Sequence, residues 1–218
     1  PPVPYDLLSI NIGSTPRIDD VPGAADFATS VKPINRFVHR WEKLLNRIIE
    51  HPRSHNIGVV GAGAAGIELL LAIQFRLQNT LRELDRSSEE LSFGLVSKSQ
   101  QIMPGFPANV RQRFERILKE RNVTVHRGVE ATEAKDGILI LSDATRLELD
   151  EVLFVTAAKA APWLGNSGLE VDENGFVKVE DSLQVLGQPE IFAAGDIADV
   201  VNHPRPKAGV FAVRQGVA

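Results

Sequence analysis

The chain has 218 residues, of which 43% are hydrophobic and 24% are charged, so its composition is that of an ordinary globular protein. Its formal net charge is −4 and its basic and acidic residues are interspersed, which argues against a nucleic-acid partner, because such proteins concentrate positive charge on one face. The absence of cysteine excludes disulfides, thiolate metal sites and a dithiol redox pair within the chain.

The first predicted element is a buried strand over residues 5–12, and residues 17–33 are predicted to be a connection. Apolar spacing over Ile34–Ile49 predicts an amphipathic helix that ends at His51-Pro52. A short apolar strand, Asn56–Val60, then runs into a glycine-rich turn. The turn is followed by helical spacing that continues to about Arg86.

The pattern repeats once more, with a strand at Leu91–Val96, a helix around residues 110–118 and a strand at Val123–Val125. This β-α-β-α-β order predicts an α/β, Rossmann-like fold with a parallel sheet. Residues 128–149 carry two turn signals and predict an antiparallel β-meander. The last predicted elements are strands at 151–156, 176–179 and 191–194 and a helix within 207–218.

Gly61, Gly63 and Gly66 have the spacing G-x-G-x-x-G. The first glycine permits a tight turn, the second lets a diphosphate approach the backbone, and the third lets the helix lie close to the sheet. The diphosphate would meet free amide groups at the positive end of the helix, near Ala64 and Ala65. Because the turn follows a strand and opens a long helix, it predicts a dinucleotide site; the alternative is a purely structural turn.

The second half of this fingerprint is different. An acidic residue at the end of the second strand usually binds the ribose 2′-hydroxyl, but here Val96 is followed by Ser97-Lys98-Ser99. Ser97 and Lys98 could instead accept a 2′-phosphate, which would favour NADP over NAD. The alternative is that they are ordinary surface-loop residues.

No other cluster predicts chemistry. His51 and His55 are four residues apart, but Pro52 breaks the helix that would align them, so we expect solvent-facing loop residues and no metal site. No Ser-His-Asp arrangement is indicated, and no residue is assigned a catalytic role.

Three segments resemble landmarks of the pyridine nucleotide-disulfide oxidoreductase superfamily, in which a nicotinamide domain is inserted into a flavin domain. Residues 5–16, ending in Gly-Ser-Thr-Pro, and residues 155–163 resemble the two crossovers between these domains. Ile191–Asp196 resembles the second flavin motif, whose aspartate binds the ribityl chain. Residues 103–106 and 204–216 are similar to the type II NADH dehydrogenase-like branch, including members fused to selenophosphate synthetase.

The resemblance implies three parts. Residues 1–52 would be the trailing part of the first FAD-domain segment with a linker helix, residues 53–160 the NAD(P)-binding domain, and residues 161–218 the truncated start of the second FAD-domain segment. It also implies that the chain is a fragment lacking the first FAD-binding motif.

The resemblance assigns roles to individual residues as well. Gly195 and Asp196 would contact the flavin ribityl chain, and a helix starting at Ala208 would direct the amides around Gly209 and Val210 to the flavin ring. Glu68 would lie near the nicotinamide; the alternative is a carboxylate favoured by the helix dipole.

We therefore expect FAD and NAD(P)H as cofactors of an oxidoreductase that moves hydride from nicotinamide to flavin, with the isolated fragment inactive. The alternative is a non-catalytic nucleotide-binding module that regulates a fused or associated enzyme such as selenophosphate synthetase. The Ser97-Lys98-Ser99 departure favours the module, and Asp196 favours the enzyme. A homodimer, and a cytoplasmic location with peripheral membrane attachment at full length, are further expectations.

Overall fold

A computed structural model describes residues 3–156, 158–205, 207 and 209–215. The chain divides into two compact units. The glycine-turn unit is Pro16–Ala157, which contains residues 61–66. The split unit is assembled from Pro1–Thr15 and Ala158–Ala218. The chain passes from one unit to the other at two places, which are marked by the short strands β2 (Thr15–Pro16) and β11 (Ala158–Lys159).

The glycine-turn unit is built on a five-stranded sheet in which every neighbouring pair is parallel, in the order β3-β10-β4-β5-β6. These strands are β3 (Thr29–Ser30), β4 (His55–Val60), β5 (Leu91–Ser97), β6 (Val123–Arg127) and β10 (Glu151–Phe154). Its helices are α1 (Ala24–Phe27), α2 (Ile34–Glu50), α3 (Ala64–Glu83) and α4 (Ala108–Glu120), and a 3-10 turn spans Ser88–Glu90. The predicted parallel α/β fold is confirmed.

Alternating side chains of the strands cover the two faces of this sheet. On one face, Ile57, Val59 and Leu95 pack with Leu44 and Ile48 of α2 and with apolar residues of α3 and α4. On the other face, strand residues pack against α1 and the meander. Each face of the sheet is therefore buried, as a parallel sheet requires.

The predicted meander is confirmed as the antiparallel strands β7 (Ala131–Lys135), β8 (Ile138–Leu141) and β9 (Arg146–Glu148). Its two tight turns occur where the sequence indicated them. Gly137 and Ala144 adopt the positive φ values of 70° and 67° that such turns use.

The split unit contains a mixed sheet in the order β1-β14-β13-β12-β15. The strands are β1 (Leu8–Ile10), β12 (Val177–Val179), β13 (Gln184–Val185), β14 (Gln188–Ala193) and β15 (Ala198–Val200). It also contains α5 (Gly209–Gln215) and 3-10 turns at Pro162–Asn166 and Gly195–Ile197. Parallel pairing of Leu8–Ile10 with Ile191–Ala193 joins residues almost a chain length apart.

Several predicted boundaries differ from the structure. The compact unit that holds the glycine turn begins at Pro16 and not after residue 52, because α2 is part of its core, where Ile48 is fully buried. The strand predicted as buried over residues 5–12 is only Leu8–Ile10 and mostly exposed, since it pairs on one side alone. Helix α3 ends at Glu83, because Asp85 takes a left-handed φ of 54° and Arg86 N donates to Leu81 O, a C-terminal capping arrangement.

Candidate nucleotide and flavin sites

The glycine turn joins β4 to α3 at the carboxyl edge of the parallel sheet. Gly61 N donates to Val96 O at 2.9 Å, which ties the turn to the neighbouring strand. Gly61 has a φ of 122°, and an added Cβ would stand 2.7 Å from the carbonyl carbon of Val155. Both the conformation and the close approach to Val155, directly after β10, therefore require glycine at this position.

Gly66 lies on the first turn of α3 and faces back toward Gly61. A Cβ on Gly66 would overlap the Gly61 carbonyl oxygen and stand 3.0 Å from its carbonyl carbon. The helix can lie this close to the turn only because residue 66 has no side chain. This is the packing role that the sequence spacing predicted for the third glycine.

Gly63 is different from its two neighbours in the motif. It is exposed, its φ of −74° and ψ of 177° suit any residue, and an added Cβ would meet nothing within 4 Å. Neither the backbone conformation nor the packing of the chain therefore requires glycine at this position.

The amino end of α3 presents backbone donors beside Gly63. The helix begins at Ala64, and its first closing hydrogen bond runs from Ile67 N to Gly63 O at 3.1 Å. No side chain caps this end. The N–H groups of Ala64, Ala65 and Gly66 thus precede the first helical hydrogen bond, and they lie at the positive end of a 20-residue helix.

The loop after β5 lies next to the turn, since Met103 N donates to Ala62 O at 2.8 Å. Ser97 is 3% exposed, and its hydroxyl donates to Ser99 O at 2.8 Å. Lys98 is exposed, and its Nζ lies 2.7 Å from Oε1 of Glu130. Of the two predicted phosphate ligands, Ser97 is buried, and only the Lys98 side chain reaches the surface. The Lys98 ammonium already has the Glu130 carboxylate as a partner.

A second cation near this edge, Arg127, forms an ion pair with Glu115. The guanidinium of Arg127, the last residue of β6, donates to both oxygens of Glu115 on α4. The hydrogen bond to Glu115 raises the pKa of Arg127 above its usual value, because it stabilises the charged form. Arg127 therefore joins β6 to α4, and it also donates to Gln100 O in the loop after β5 at 3.3 Å.

The structure corrects the expectations for Glu68 and His55. Glu68 is exposed, but it is the fifth residue of α3 and not part of its first turn, so the helix dipole gives it little stabilisation. His55 is fully buried as the first residue of β4, and its Nε2 lies 3.0 Å from His51 O. The expectation of a solvent-facing loop is therefore wrong for His55, which pairs with Leu91 in the parallel ladder.

In the split unit, Gly195 and Asp196 follow β14 at its carboxyl end. Gly195 has a φ of 75°, and a Cβ there would stand 2.8 Å from Oδ1 of Asn11. Ser14 is buried and donates its hydroxyl to Oδ2 of Asp196 at 3.0 Å. The structure thus brings together two of the predicted flavin-domain landmarks, which lie 182 positions apart in the chain.

Helix α5 packs beside this turn. Gly195 N donates to Oε1 of Gln215 at 2.7 Å, and Gly209 and Val210, both exposed, form the first residues of α5. Just before the helix, Lys207 donates to Ala198 O at 2.6 Å. The other residues of the terminal motif that carried the resemblance, Pro206, Ala208 and Gly216, lie outside the described residues.

Sequence reasoning missed three of these contacts: Ser14 to Asp196, Gln215 to Gly195, and Glu130 to Lys98. Ser14 and Gln215 belong to segments that the resemblance had marked, but Glu130 carried no local signal. Within the described ranges, no three histidine, aspartate or glutamate side chains converge to hold a metal ion. No helix among the described residues has the length and apolar character needed to cross a bilayer.

The relatives and solved structures that this chain resembles include several whose names or bound ligands include NADH. The chain is 27% identical over 224 residues to a type II NADH:quinone oxidoreductase of Haemophilus influenzae, an alignment that covers 91% of this chain and 50% of that protein. NDH2 from Plasmodium falciparum, solved in complex with NADH, matches with a TM-score of 0.80 at 18% identity, over 91% of this chain and 45% of the other.

A water-forming NADH oxidase from Lactobacillus brevis, solved with NADH, matches with a TM-score of 0.74 at 21% identity, over 98% of this chain and 45% of the other. The chain spans about half the length of the curated relatives it matches. The family model described as pyridine nucleotide-disulphide oxidoreductase matches residues 2–216. The chain therefore belongs to the pyridine nucleotide-disulphide oxidoreductase family.

Proposed function

We propose that this chain is the NAD(P)H-binding part of a FAD-dependent oxidoreductase in which hydride passes from the nicotinamide to the flavin. The observation that carries the proposal is Gly63. Gly61 and Gly66 are required by the packing of the turn itself, but at position 63 neither the backbone conformation nor packing against the described residues requires glycine. A ligand that must approach the backbone at this point supplies the missing reason.

The groups around Gly63 fit a dinucleotide diphosphate. The N–H groups of Ala64, Ala65 and Gly66 are donors, the helix end is positive, and Gly63, directly before α3, is exposed. A side chain on residue 63 would occupy the space through which the diphosphate reaches these donors. The turn thus binds and orients the nucleotide through its backbone.

The flavin side of the proposal rests on Asp196. It lies at the carboxyl end of β14, half-buried, with one carboxylate oxygen held by Ser14. A carboxylate fixed in this way can accept hydrogen bonds from the hydroxyls of a ribityl chain. Gly195 is explained by its own packing against Asn11, so Asp196 is the residue of this pair that we assign to the ligand.

When bound, the two cofactors supply the redox chemistry, namely hydride donation by the dihydronicotinamide and its acceptance by the flavin. The residues of the chain bind and orient. Such a transfer needs no side-chain acid or base. The name of the Haemophilus relative and the NADH in the Plasmodium complex support NADH as the electron donor.

The test is an absorption spectrum of the protein purified at its natural full length. We expect bound flavin with its visible bands, and we expect anaerobic NADH or NADPH to bleach them. A preparation that binds flavin, but whose bands neither nucleotide bleaches, would contradict the proposal. Gly63→Ala provides the matched control, because it should retain the flavin and require far more nucleotide for the same bleaching.

Three further expectations stay part of this proposal. A fused or associated selenophosphate synthetase domain would appear in the mass and sequence of the full-length protein. A homodimer would appear in light scattering. Peripheral membrane attachment would appear as flotation of the full-length protein with lipid vesicles.

A further inference from the structure

We propose that Lys98 and Glu130 form a charge pair that sets the preference of the glycine-turn site for NADH over NADPH; this inference rests on the proposed nucleotide site. Their charged atoms, Lys98 Nζ and Glu130 Oε1, are 2.7 Å apart. The two residues are 32 positions apart in the chain, so no local sequence pattern reveals the pair.

Both residues lie at the same edge of the sheet as the glycine turn. Val60 of β4 pairs with Val96 of β5, and Gly61 N donates to Val96 O, so Lys98 follows β5 directly beside the turn. The segment after β6 then pairs with the end of β5, since Val129 N donates to Ser97 O at 3.1 Å. Glu130 is the next residue and thus reaches the same place from the neighbouring strand.

This edge is where the adenosine ribose lies in a Rossmann-type site, and a carboxylate there commonly binds the 2′-hydroxyl. The sequence directly after β5 lacks that carboxylate, but the structure supplies one from the segment after β6. Glu130 can accept hydrogen bonds from ribose hydroxyls and repels the doubly charged 2′-phosphate of NADPH. Lys98 attracts that phosphate, but Glu130 offsets its charge.

Two neighbouring polar groups already have partners. The Ser97 hydroxyl is buried and donates to Ser99 O, and the Arg127 guanidinium donates to Glu115. Glu130 is held by its own backbone, because its N–H donates to the hydroxyl of Ser142 at 3.1 Å. Removing the Glu130 charge would therefore leave Lys98 unopposed at the ribose.

The variants Glu130→Gln and Lys98→Met should fold, because both side chains are more than half exposed and exposed ion pairs contribute little to stability. Glu120→Gln is the matched control. It removes the same charge from an exposed pair with Arg116, at the end of α4 and thus at the opposite edge of the sheet. Affinity for NADH and for NADPH is measured by fluorescence titration of the full-length protein.

We expect the wild-type protein to bind NADH about tenfold more tightly than NADPH, which corresponds to one charge-assisted hydrogen bond. Glu130→Gln should raise NADPH affinity about tenfold and lower NADH affinity severalfold. Lys98→Met should weaken NADPH further without affecting NADH, and Glu120→Gln should leave both unchanged.

The outcomes separate the inference from the function on which it rests. If the wild-type protein binds NADH but Glu130→Gln leaves the ratio of the two affinities unchanged, the charge pair does not contact the ribose, and the nucleotide site stands. A wild-type preference for NADPH would likewise overturn the inference alone. If the wild-type protein binds neither nucleotide, the proposed function fails together with it.

Discussion

Replacing Gly66 and Gly63 by alanine, one at a time, separates the packing role of the glycine turn from its binding role. At position 66 the new Cβ would overlap the Gly61 carbonyl oxygen and stand 3.0 Å from its carbonyl carbon. Carbon atoms in contact prefer about 3.5–4.0 Å, and the obstacle is backbone, which cannot rotate away. We therefore expect Gly66→Ala to cost about 3 kcal/mol, the upper part of the range for overpacking.

At position 63 the same substitution meets open space. Gly63 is the N-cap of α3, where alanine is less favourable than glycine, so the loss of stability should be no more than about 1 kcal/mol. The new methyl group would instead hold the diphosphate away from the N–H donors. Losing one or two hydrogen bonds to a charged group corresponds to about 2–4 kcal/mol of binding energy, or about 30-fold to 1,000-fold in Kd.

The two assays are urea unfolding, which reports stability, and fluorescence titration with NAD(P)H, which reports affinity. We expect Gly66→Ala to lower the unfolding midpoint and Gly63→Ala to leave it nearly unchanged while weakening binding. Wild-type affinity in Gly63→Ala would refute the assignment of the open space to a ligand. Wild-type stability in Gly66→Ala would refute the packing account.

Three other predictions concern the rest of the chain. Ser14→Ala removes the donor to Asp196 and should weaken FAD binding about five- to tenfold in reconstitution of the apoprotein. Unchanged affinity would mean that Asp196 does not contact the flavin. Burial raises the pKa of Asp150, but hydrogen bonds, above all that from Arg53, outweigh it and hold the pKa below its usual value. The stability that this carboxylate contributes is complete above about pH 4 and is lost as the pH falls through the pKa of Asp150 in the folded protein. In Asp150→Asn the free energy of unfolding should therefore fall less steeply at acid pH. Ile48→Ala should lower the free energy of unfolding in urea by about 2–5 kcal/mol, because α2 is part of the core. A change below about 0.5 kcal/mol would show that α2 is a linker helix outside the core.

The elements that could be predicted from the sequence are those with a strong local signal. The apolar spacing of Ile34–Ile49 predicted α2, which ends one residue later at Glu50, and the strand-glycine-helix order predicted the turn between β4 and α3. The meander followed from turn residues such as Gly137. In each case the signal and the structure lie within one stretch of chain.

What could not be predicted depends on distant residues. Strands β3 and β13 have two residues each, too few for any periodicity, and they exist because a neighbouring strand pairs with them. His55 looked like a loop residue after Pro52, but pairing with Leu91 draws it into β4. The partner of Lys98 was hidden for the same reason, since Glu130 approaches it only after two strands have paired.

Single-turnover reduction of the full-length protein with NADH deuterated at the transferring C4 position measures whether hydride passes from the nicotinamide to a bound flavin. We expect the flavin bands to bleach in one turnover and deuterium to slow the bleaching severalfold, because the C–H bond breaks in that step. Bleaching at the same rate with both isotopes, in the absence of any slower binding step, or no bleaching at all, would contradict it.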